Sequence, residues 1–469
     1  MNPPPTPKPL GLPMACLYAL GAVVCFNLAC ALDSCAFLMV GFLACLFPLA
    51  RLGTPRRAYY TGLVIGLAVY TPHLLFFYNI FGIAAVALWY ILPFWLGLFL
   101  VLGRACYYRF GPVAWACLAP FLWTGFEFFR GELYYLRFSW LSPGMAFANS
   151  GALHYLSSYG VYGIGFLLMA VVGVANLRGR PLKIGLALLT AAALYPAFIP
   201  TPRAAAGKTL RVAGVQLESF SPLEIRLALD GAMEKFPDTD IFVLSEYSFL
   251  GPIPDPIKGW CRAHRKYLVV GGEEPVPPSD YYNTAFVVDT NGEIAFRQAK
   301  CAPVQFMKDG LPARQQQLWD SPWGKIGLAT CYDTSYSRVT DKLVRQGAQA
   351  LINPTMDSAD WGAAQHLLHS RIPPMRAAEY RVPVFRVASS GVSEFVDGTG
   401  RVACSAPFPG QGAMLAAALE LPDRGRMPPD RWLARFSVAV VVGLGGWLAL
   451  EAARQRNKIG RDRIQSSRP

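Results

Sequence analysis

Apolar positions follow two regimes along the chain. Up to Pro200 they form long uncharged runs, near 14–32, 34–50, 59–80, 83–103, 112–129, 152–176 and 182–200, and one more run lies near 433–450. A bilayer core of about 30 Å takes roughly 20 helical residues to cross. Each run therefore predicts a membrane-spanning helix, about eight in all. So many runs with so few charges argue against buried helices of a water-soluble core. From Lys208 to Arg426 the pattern changes to short β-rich runs alternating with helical stretches. Strands are predicted at 210–217, 240–246, 267–272, 325–331, 349–355 and 382–391, hairpins at 283–300 and 394–403, and helices at 222–236 and 334–347. Such alternation argues for a layered α/β domain. The expected organisation is a disordered tail over 1–13, seven membrane helices over 14–200, an α/β domain over 208–426, an eighth membrane helix over 433–452 and a basic tail over 453–469.

Composition agrees with this division. Of 469 residues, 53% are hydrophobic and 16% charged, with a mean hydropathy of +0.31; soluble domains carry roughly 25% charged residues. A net charge of +13 invites a nucleic-acid reading, but the placement of the charges excludes it. Lys8, Arg51, Arg56, Arg57, Arg104, Arg109, Arg178, Arg180, Lys183 and the cations after 453 all fall in alternate loops, whereas the opposite short loops hold only Arg130 and Arg137. Basic loops stay in the cytoplasm. Both termini are therefore expected inside and the 208–426 domain outside. The first run leads directly into further runs and is expected to be retained rather than cleaved. Tyr134, Tyr135, Phe138 and Trp140 read as an aromatic belt at the outer interface. Glu127, Arg130 and Glu132 read either as headgroup contacts or as partners of one another.

Eleven cysteines and five histidines show no metal-ligand spacing and no disulfide framework, so neither metal nor cofactor is expected. Three reactive side chains end predicted strands: Glu246, Lys300 and Cys331. Strand ends in α/β sheets face the usual ligand crevice. A cysteine at a strand-to-helix turn, with a carboxylate to take its proton and an ammonium to stabilise an oxyanion, would perform acyl transfer through a thioester. Taken singly, Cys331 also reads as a buried structural thiol, Glu246 as a strand-end helix cap and Lys300 as a solvated loop charge.

The stretches GVQ (214–216), VLSEYSFLGP (243–252), FRQAKCAPVQF (296–306) and GLATCYD (327–333) resemble the nitrilase (carbon–nitrogen hydrolase) superfamily. The whole layout is similar to the apolipoprotein N-acyltransferase family, including 138–167 and 360–400. The resemblance implies an αββα sandwich outside a helical bundle, with Glu246 as general base, Lys300 at the oxyanion and Cys331 as nucleophile. Tyr332, Asp333, Trp361 and Gly362 are implied as supporting residues. It also implies an acyl chain taken from a membrane phospholipid and given to the N-terminal amine of a diacylated apolipoprotein, in the bacterial inner membrane, by a monomer. The family's second glutamate after the lysine is replaced here by Lys308, with Asp309 next to it; a one-residue shift of the loop would bring Asp309 into that place. The 31-residue interval from Lys300 to Cys331 is short for the family. An amidase acting on a small amide, or a catalytically weakened member of the fold, is the alternative.

Overall fold

A computed structural model describes residues 8–148, 153–198, 204–219, 221–410 and 412–466. Most of the expected disordered tail, residues 1–7, lies outside the described residues, as do 467–469. The first half of the chain is a bundle of apolar helices: Leu12–Ala31, Leu38–Leu46, Pro55–Tyr70, Ile91–Phe128, Leu153–Ala175 and Gly179–Leu194. Asp430–Ser466 returns to the bundle after the α/β domain. Among the described residues, four helical stretches are long and apolar enough to cross a membrane: Leu12–Ala31, Phe77–Leu133, Leu153–Ala175 and Asp430–Arg454.

About eight spans were expected, and the other runs form shorter helices. The runs at 34–50, 59–80 and 182–200 form α-helices of 9, 16 and 16 residues, the first two giving way to tighter turns at Phe47–Arg51 and Thr71–Leu74. Pro48 and Pro72 supply no backbone N–H for a continuing helix. Within the stretch 77–133, after the short helices Phe77–Phe81 and Ala85–Leu88, the segment Ile91–Phe128 is two helices that meet at Gly111 (φ 86°, ψ 175°). The chain doubles back there, so that Phe99 packs on Trp123 and Trp95 on Phe129, with ring centroids 5.2 and 5.3 Å apart. Two of the expected runs, 83–103 and 112–129, are the arms of this hairpin.

The α/β domain contains β1 (Ala204–Gln216), β2 (Ile241–Val243), β3 (Tyr267–Val276), β4 (Asp280–Val288), β5 (Ile294–Ala299), β6 (Leu318–Asp320), β7 (Lys325–Leu328), β8 (Ala350–Thr355), β9 (Val384–Ala388), β10 (Glu394–Val396), β11 (Val402–Ser405) and β12 (Ala413–Pro422). They form two six-stranded sheets, ordered β12-β1-β2-β3-β4-β5 and β11-β10-β9-β8-β7-β6. Strand-buried Val, Ile, Leu and Phe side chains such as Val212, Ile241, Ile352 and Phe385 fill the space between the sheets. A second cluster lies under the helices Pro222–Lys235 and Asp255–His264, and a third under Ser337–Arg345 and Ile372–Tyr380. The order helix, sheet, sheet, helix is the αββα sandwich.

Carboxylates join the two parts by capping each other's helices. Glu132, at the end of the hairpin, accepts the backbone N–H of Ser337 (2.8 Å) and its hydroxyl (2.7 Å), at the start of Ser337–Arg345. In return Glu379 of the α/β domain accepts the N–H of Val161 (2.8 Å), and Asp430 that of Tyr162 (2.9 Å), where the second arm of Leu153–Ala175 begins. Gly160, at φ 72°, allows this: a Cβ there would lie 2.3 Å from the Asp430 carboxylate. Arg431 ties the junction together through Asp341, Glu379 and Asp430. Glu132 therefore does not pair with Glu127 or Arg130. Free helix N–H groups carry partial positive charge, and a carboxylate on them is stabilising.

Candidate active site

The strand ends of both sheets converge on one crevice. Glu246 lies just past β2, where Leu244 still donates to Val269 (2.9 Å). Its turn packs so closely on β3 that a Cβ on Gly271 would sit 2.5 Å from the Glu246 Cα, so only glycine fits there. Lys300 follows β5 and donates its N–H to Asn283 (2.7 Å). Cys331 follows β7 at φ 48°, a left-handed conformation that non-glycine residues rarely adopt and that recurs at functional turns. Thr330 and Asp333 cap the turn that begins at Cys331.

Lys300 Nζ lies 2.8 Å from Glu246 Oε1 and 2.7 Å from Asp309 Oδ2, and the lysine side chain is 1% exposed. Asn283 Nδ2 donates to both carboxylates, at 2.6 Å to Glu246 and 2.9 Å to Asp309. The remaining Glu246 oxygen accepts the Met356 N–H (2.8 Å). Asp309 also takes the Tyr247 hydroxyl (2.8 Å) and the Val304 N–H (2.7 Å). Cys331 shares one open cavity with Glu246, Lys300 and Asp309. Its Sγ lies 3.7 Å from the Met356 carbonyl.

The second acidic position is therefore filled by Asp309, and the expectation that Lys308 stands there is corrected. The Val304 N–H bond curls the 304–309 loop so that Asp309 turns inward. Lys308 stays exposed, its Nζ 5.7 Å from the Tyr281 ring centre and its carbonyl bonded to the Tyr281 hydroxyl (2.8 Å). Asn283 escaped the sequence reading. Its signal was a polar residue on the inward face of an otherwise apolar strand.

Burial raises the Glu246 carboxyl above its ordinary range; Lys300 opposes this and Asp309 adds to it. Burial would raise Asp309 too, but Lys300 and the N–H donors override it and hold that carboxyl low. Burial would lower Lys300, yet Asp309 and Glu246 raise it well above normal. The Cys331 thiol is pushed well up by burial and then by Glu246, with Lys300 pulling back. Two carboxylates on one ammonium are thus driven apart: one stays ionised and the other is poised to take a proton.

The supporting residues occupy distinct places. Asp333 accepts the N–H groups of Cys301 (2.9 Å) and Ala302 (2.7 Å), which ties the peptide after Lys300 to the turn of Cys331; burial pushes its carboxyl up to about 6. Tyr332 packs on Tyr336 (ring centroids 4.9 Å) and faces Trp140 (6.0 Å). Trp361 borders the cavity and its carbonyl accepts from Asn79 (3.3 Å). Gly362, at φ 88°, begins the helix that follows.

A second, open cavity shares Cys331 in its wall. Its walls are apolar and come mostly from the bundle: Phe76, Phe77, Phe81, Ile91, Phe138 and Trp140, with Tyr332 and Trp361 from the α/β domain. The expected belt is thereby divided. Tyr135 is exposed, whereas Trp140 is buried, bonded to Ser335 (2.9 Å) and stacked on His369 (5.0 Å). A buried thiol, a base, an ammonium and an adjoining apolar cavity suit acyl transfer from a long-chain donor.

Known proteins match the chain in two blocks. Residues 20–174 match the family described as apolipoprotein N-acyltransferase N-terminal domain, and residues 204–428 match carbon-nitrogen hydrolase. An apolipoprotein N-acyltransferase of Geobacter metallireducens is 26% identical over 221 residues, 42% of each chain. One from Rickettsia typhi is 25% identical over 329 residues, 60% of this chain and 65% of that one. The chain thus spans less than two thirds of the length of these relatives. The crystal structure of Saccharomyces cerevisiae Nit3, a nitrilase-superfamily member, is 22% identical and covers 50% of this chain and 94% of its own, with a TM-score of 0.39. The two family matches run in series through most of the sequence, bundle first and sandwich second, and the chain belongs to the apolipoprotein N-acyltransferase family of the nitrilase superfamily.

Proposed function

We propose that the protein moves an acyl chain from a membrane phospholipid to the N-terminal α-amine of a diacylglyceryl-cysteine apolipoprotein, by way of a thioester on Cys331. The observation that carries this reading is the position of Cys331 on the shared wall of a charged cavity and an apolar one. Burying an acyl chain contributes about 0.8 kcal/mol per CH₂, so a donor chain is held best in the cavity formed by the bundle. The site then meets the lipid without drawing it into water.

In the first half-reaction Glu246 takes the thiol proton and the sulfur attacks the ester carbonyl. Lys300 stabilises the oxyanion. The C–O bond breaks, Glu246 returns the proton to the glyceryl oxygen, and lysophospholipid leaves. In the second, the α-amine attacks the thioester carbonyl, a C–N bond forms, the C–S bond breaks, and the amine's proton passes through Glu246 to the departing sulfur. Asp309 stays ionised and keeps Lys300 charged throughout. Asp333 holds the Lys300 and Cys331 backbones in register, while Tyr332, Trp361 and Gly362 shape the wall between the cavities. No metal or diffusible cofactor takes part. The protein works as a monomer in the bacterial inner membrane, both termini in the cytoplasm and the sandwich on the outer face.

The test is acylation of the protein in membranes that contain an alkyne-tagged phospholipid. Label on Cys331 that hydroxylamine removes, and that passes to a diacylglyceryl-cysteine lipopeptide, supports the reading. Absence of label overturns it in favour of a catalytically weakened member of the fold, and release of ammonia from simple amides without phospholipid overturns it in favour of an amidase.

A further inference from the structure

Two cations that share the Tyr336 ring have no role in the chemistry above. Arg137 lines the apolar cavity together with Cys331. Arg338 lies in the first turn of Ser337–Arg345. Their guanidinium carbons are 5.3 and 5.1 Å from the centre of the Tyr336 ring, and the Tyr336 hydroxyl donates to the Arg137 carbonyl (3.2 Å). Arg137 Nε and Arg338 Nε and Nη2 are buried without a hydrogen-bond partner. Neither side chain forms an ion pair among the described residues. The domain treats its other buried arginines differently: Arg376, Arg386 and Arg431 each meet a carboxylate. Glu132, on the same face, gives its oxygens to the backbone N–H groups of Ser337 and Arg338. Arg137 is also one of two cations in the short loops expected on the outer side.

Buried donors without acceptors are costly and mark a place that an acceptor fills. The planar fork of a guanidinium matches a phosphate oxygen pair. The next residue, Phe138, already belongs to the apolar wall. Within two residues the chain thus passes from a phosphate-binding cation to a surface for hydrocarbon, the head-to-tail order of a lipid. We infer that Arg137 and Arg338 bind the phosphodiester of the phospholipid whose acyl chain enters the cavity. The inference rests on the acyl-donor reading and adds which group of the donor is recognised. The same phosphate chemistry is offered by a resident lipid that never reacts.

The experiment uses the full chain in mixed micelles and two donors with the same acyl chain: a diacyl phospholipid, and a nitrophenyl ester that lacks phosphate. In Arg137→Met/Arg338→Met, KM for the phospholipid is expected to rise roughly tenfold or more relative to KM for the nitrophenyl ester; retained ester activity certifies the fold. Arg137→Lys/Arg338→Lys recovers part of the loss. Equal losses with both donors, or an unchanged KM for the phospholipid, overturn the inference, and the second outcome with loss of a co-purifying lipid marks a resident lipid instead. If neither donor acylates the unaltered protein, the proposed function itself fails. A photoreactive phosphatidylethanolamine then decides the phosphate site: crosslinking at 136–140 that the double Met substitution abolishes sustains it, and crosslinking that persists overturns it.

Discussion

The two cavities that meet at Cys331 are built by different means. The charged one is made within the α/β sandwich, from strand ends whose backbone is fixed by sheet hydrogen bonds, and every oxygen of Glu246 and Asp309 has a donor. The apolar one is made by short helices and turns between Leu74 and Leu92 of the bundle and by the loop after the helical hairpin, whose backbone hydrogen bonds between Leu74 and Leu92 are local rather than between strands. Proton transfer requires fixed distances to within tenths of an ångström, whereas a hydrocarbon chain requires only volume and dryness. In the proposed reaction the sheet-bound part carries the chemistry and the apolar part holds the lipid. The sulfur belongs to both.

Removing the sulfur breaks the comparison most completely. Cys331→Ala is expected to lower transfer by at least about 10³-fold, as loss of a nucleophile does, while lipid occupancy of the apolar cavity is kept; single-turnover labelling and photoreactive lipid binding measure the two separately. Next comes the charged cavity. Asp309→Asn leaves Lys300 with one carboxylate in place of two and is expected to cost roughly 10²-fold in acylation rate, within the range for positioned acid–base and electrostatic groups. Lys308→Ala, one residue away and exposed, is expected to change the rate less than about twofold, as surface substitutions do. Equal effects at the two positions would return Lys308 to the site.

The sign of the pH dependence follows from Glu246. It must be ionised to take the thiol proton, and its carboxyl is held above the usual range by burial and by Asp309. The acylation rate is therefore expected to fall about tenfold per pH unit below a midpoint higher than the ordinary carboxylate value of about 4.3, and to level off above it. Because Asp309 adds to the upward shift, Asp309→Asn moves the midpoint down. A midpoint that does not move would remove Asp309 from the Glu246 environment.

The charged cavity was largely legible in the sequence and the apolar one was not. Glu246 and Cys331 end apolar strand runs, and a run that stops at a reactive side chain is a local signal; Lys300 follows a hairpin whose turn, Asn291-Gly292, is equally local. The Asp309-for-Lys308 offset depends on a loop curled by one hydrogen bond from Val304, which no residue pattern reports. The apolar cavity was hidden for a different reason. Residues 59–80 and 83–103 read as uninterrupted membrane runs, because hydropathy measures what a segment is made of and not whether it breaks into turns; Phe76, Phe77 and Phe81 face the sulfur only because it does. The pairing of β1 with β12 joins segments some 200 residues apart, and strand periodicity carries no information about partners. Glu132 and Glu379 likewise gave no sign that each caps a helix of the other part.

That reciprocal capping holds the two cavities in register. Glu132→Ala leaves the N–H groups of Ser337 and Arg338 without their acceptor, at a cost of about 1–3 kcal/mol. Expected outcomes are a lower thermal midpoint in detergent and looser coupling between acylation and lipid binding, with a smaller loss for Glu132→Gln, whose amide oxygen still accepts.

The smallest expected effect is at Asn79, and it sharpens the comparison because it touches both cavities. Its Nδ2 donates to the Trp361 carbonyl at 3.3 Å, a partly exposed bond from the short helices and turns of the bundle to a residue that borders the charged cavity as well as the apolar one. Such a bond contributes about 0.5–1.5 kcal/mol. Asn79→Ala therefore leaves the fold intact. The Glu246–Lys300–Asp309 bonds do not involve Asn79, so the rate of acylation at saturating donor is expected to stay the same. What loosens is the wall of the apolar cavity. KM for a long-chain phospholipid is expected to rise a few-fold, and less for a donor with a short chain that does not reach the Phe77 side of the cavity. Titrating both donors against Asn79→Ala measures this. A fall in the saturating rate with KM unchanged would show that the bundle turns set the chemistry as well as the volume, and the division of labour between the cavities would not hold.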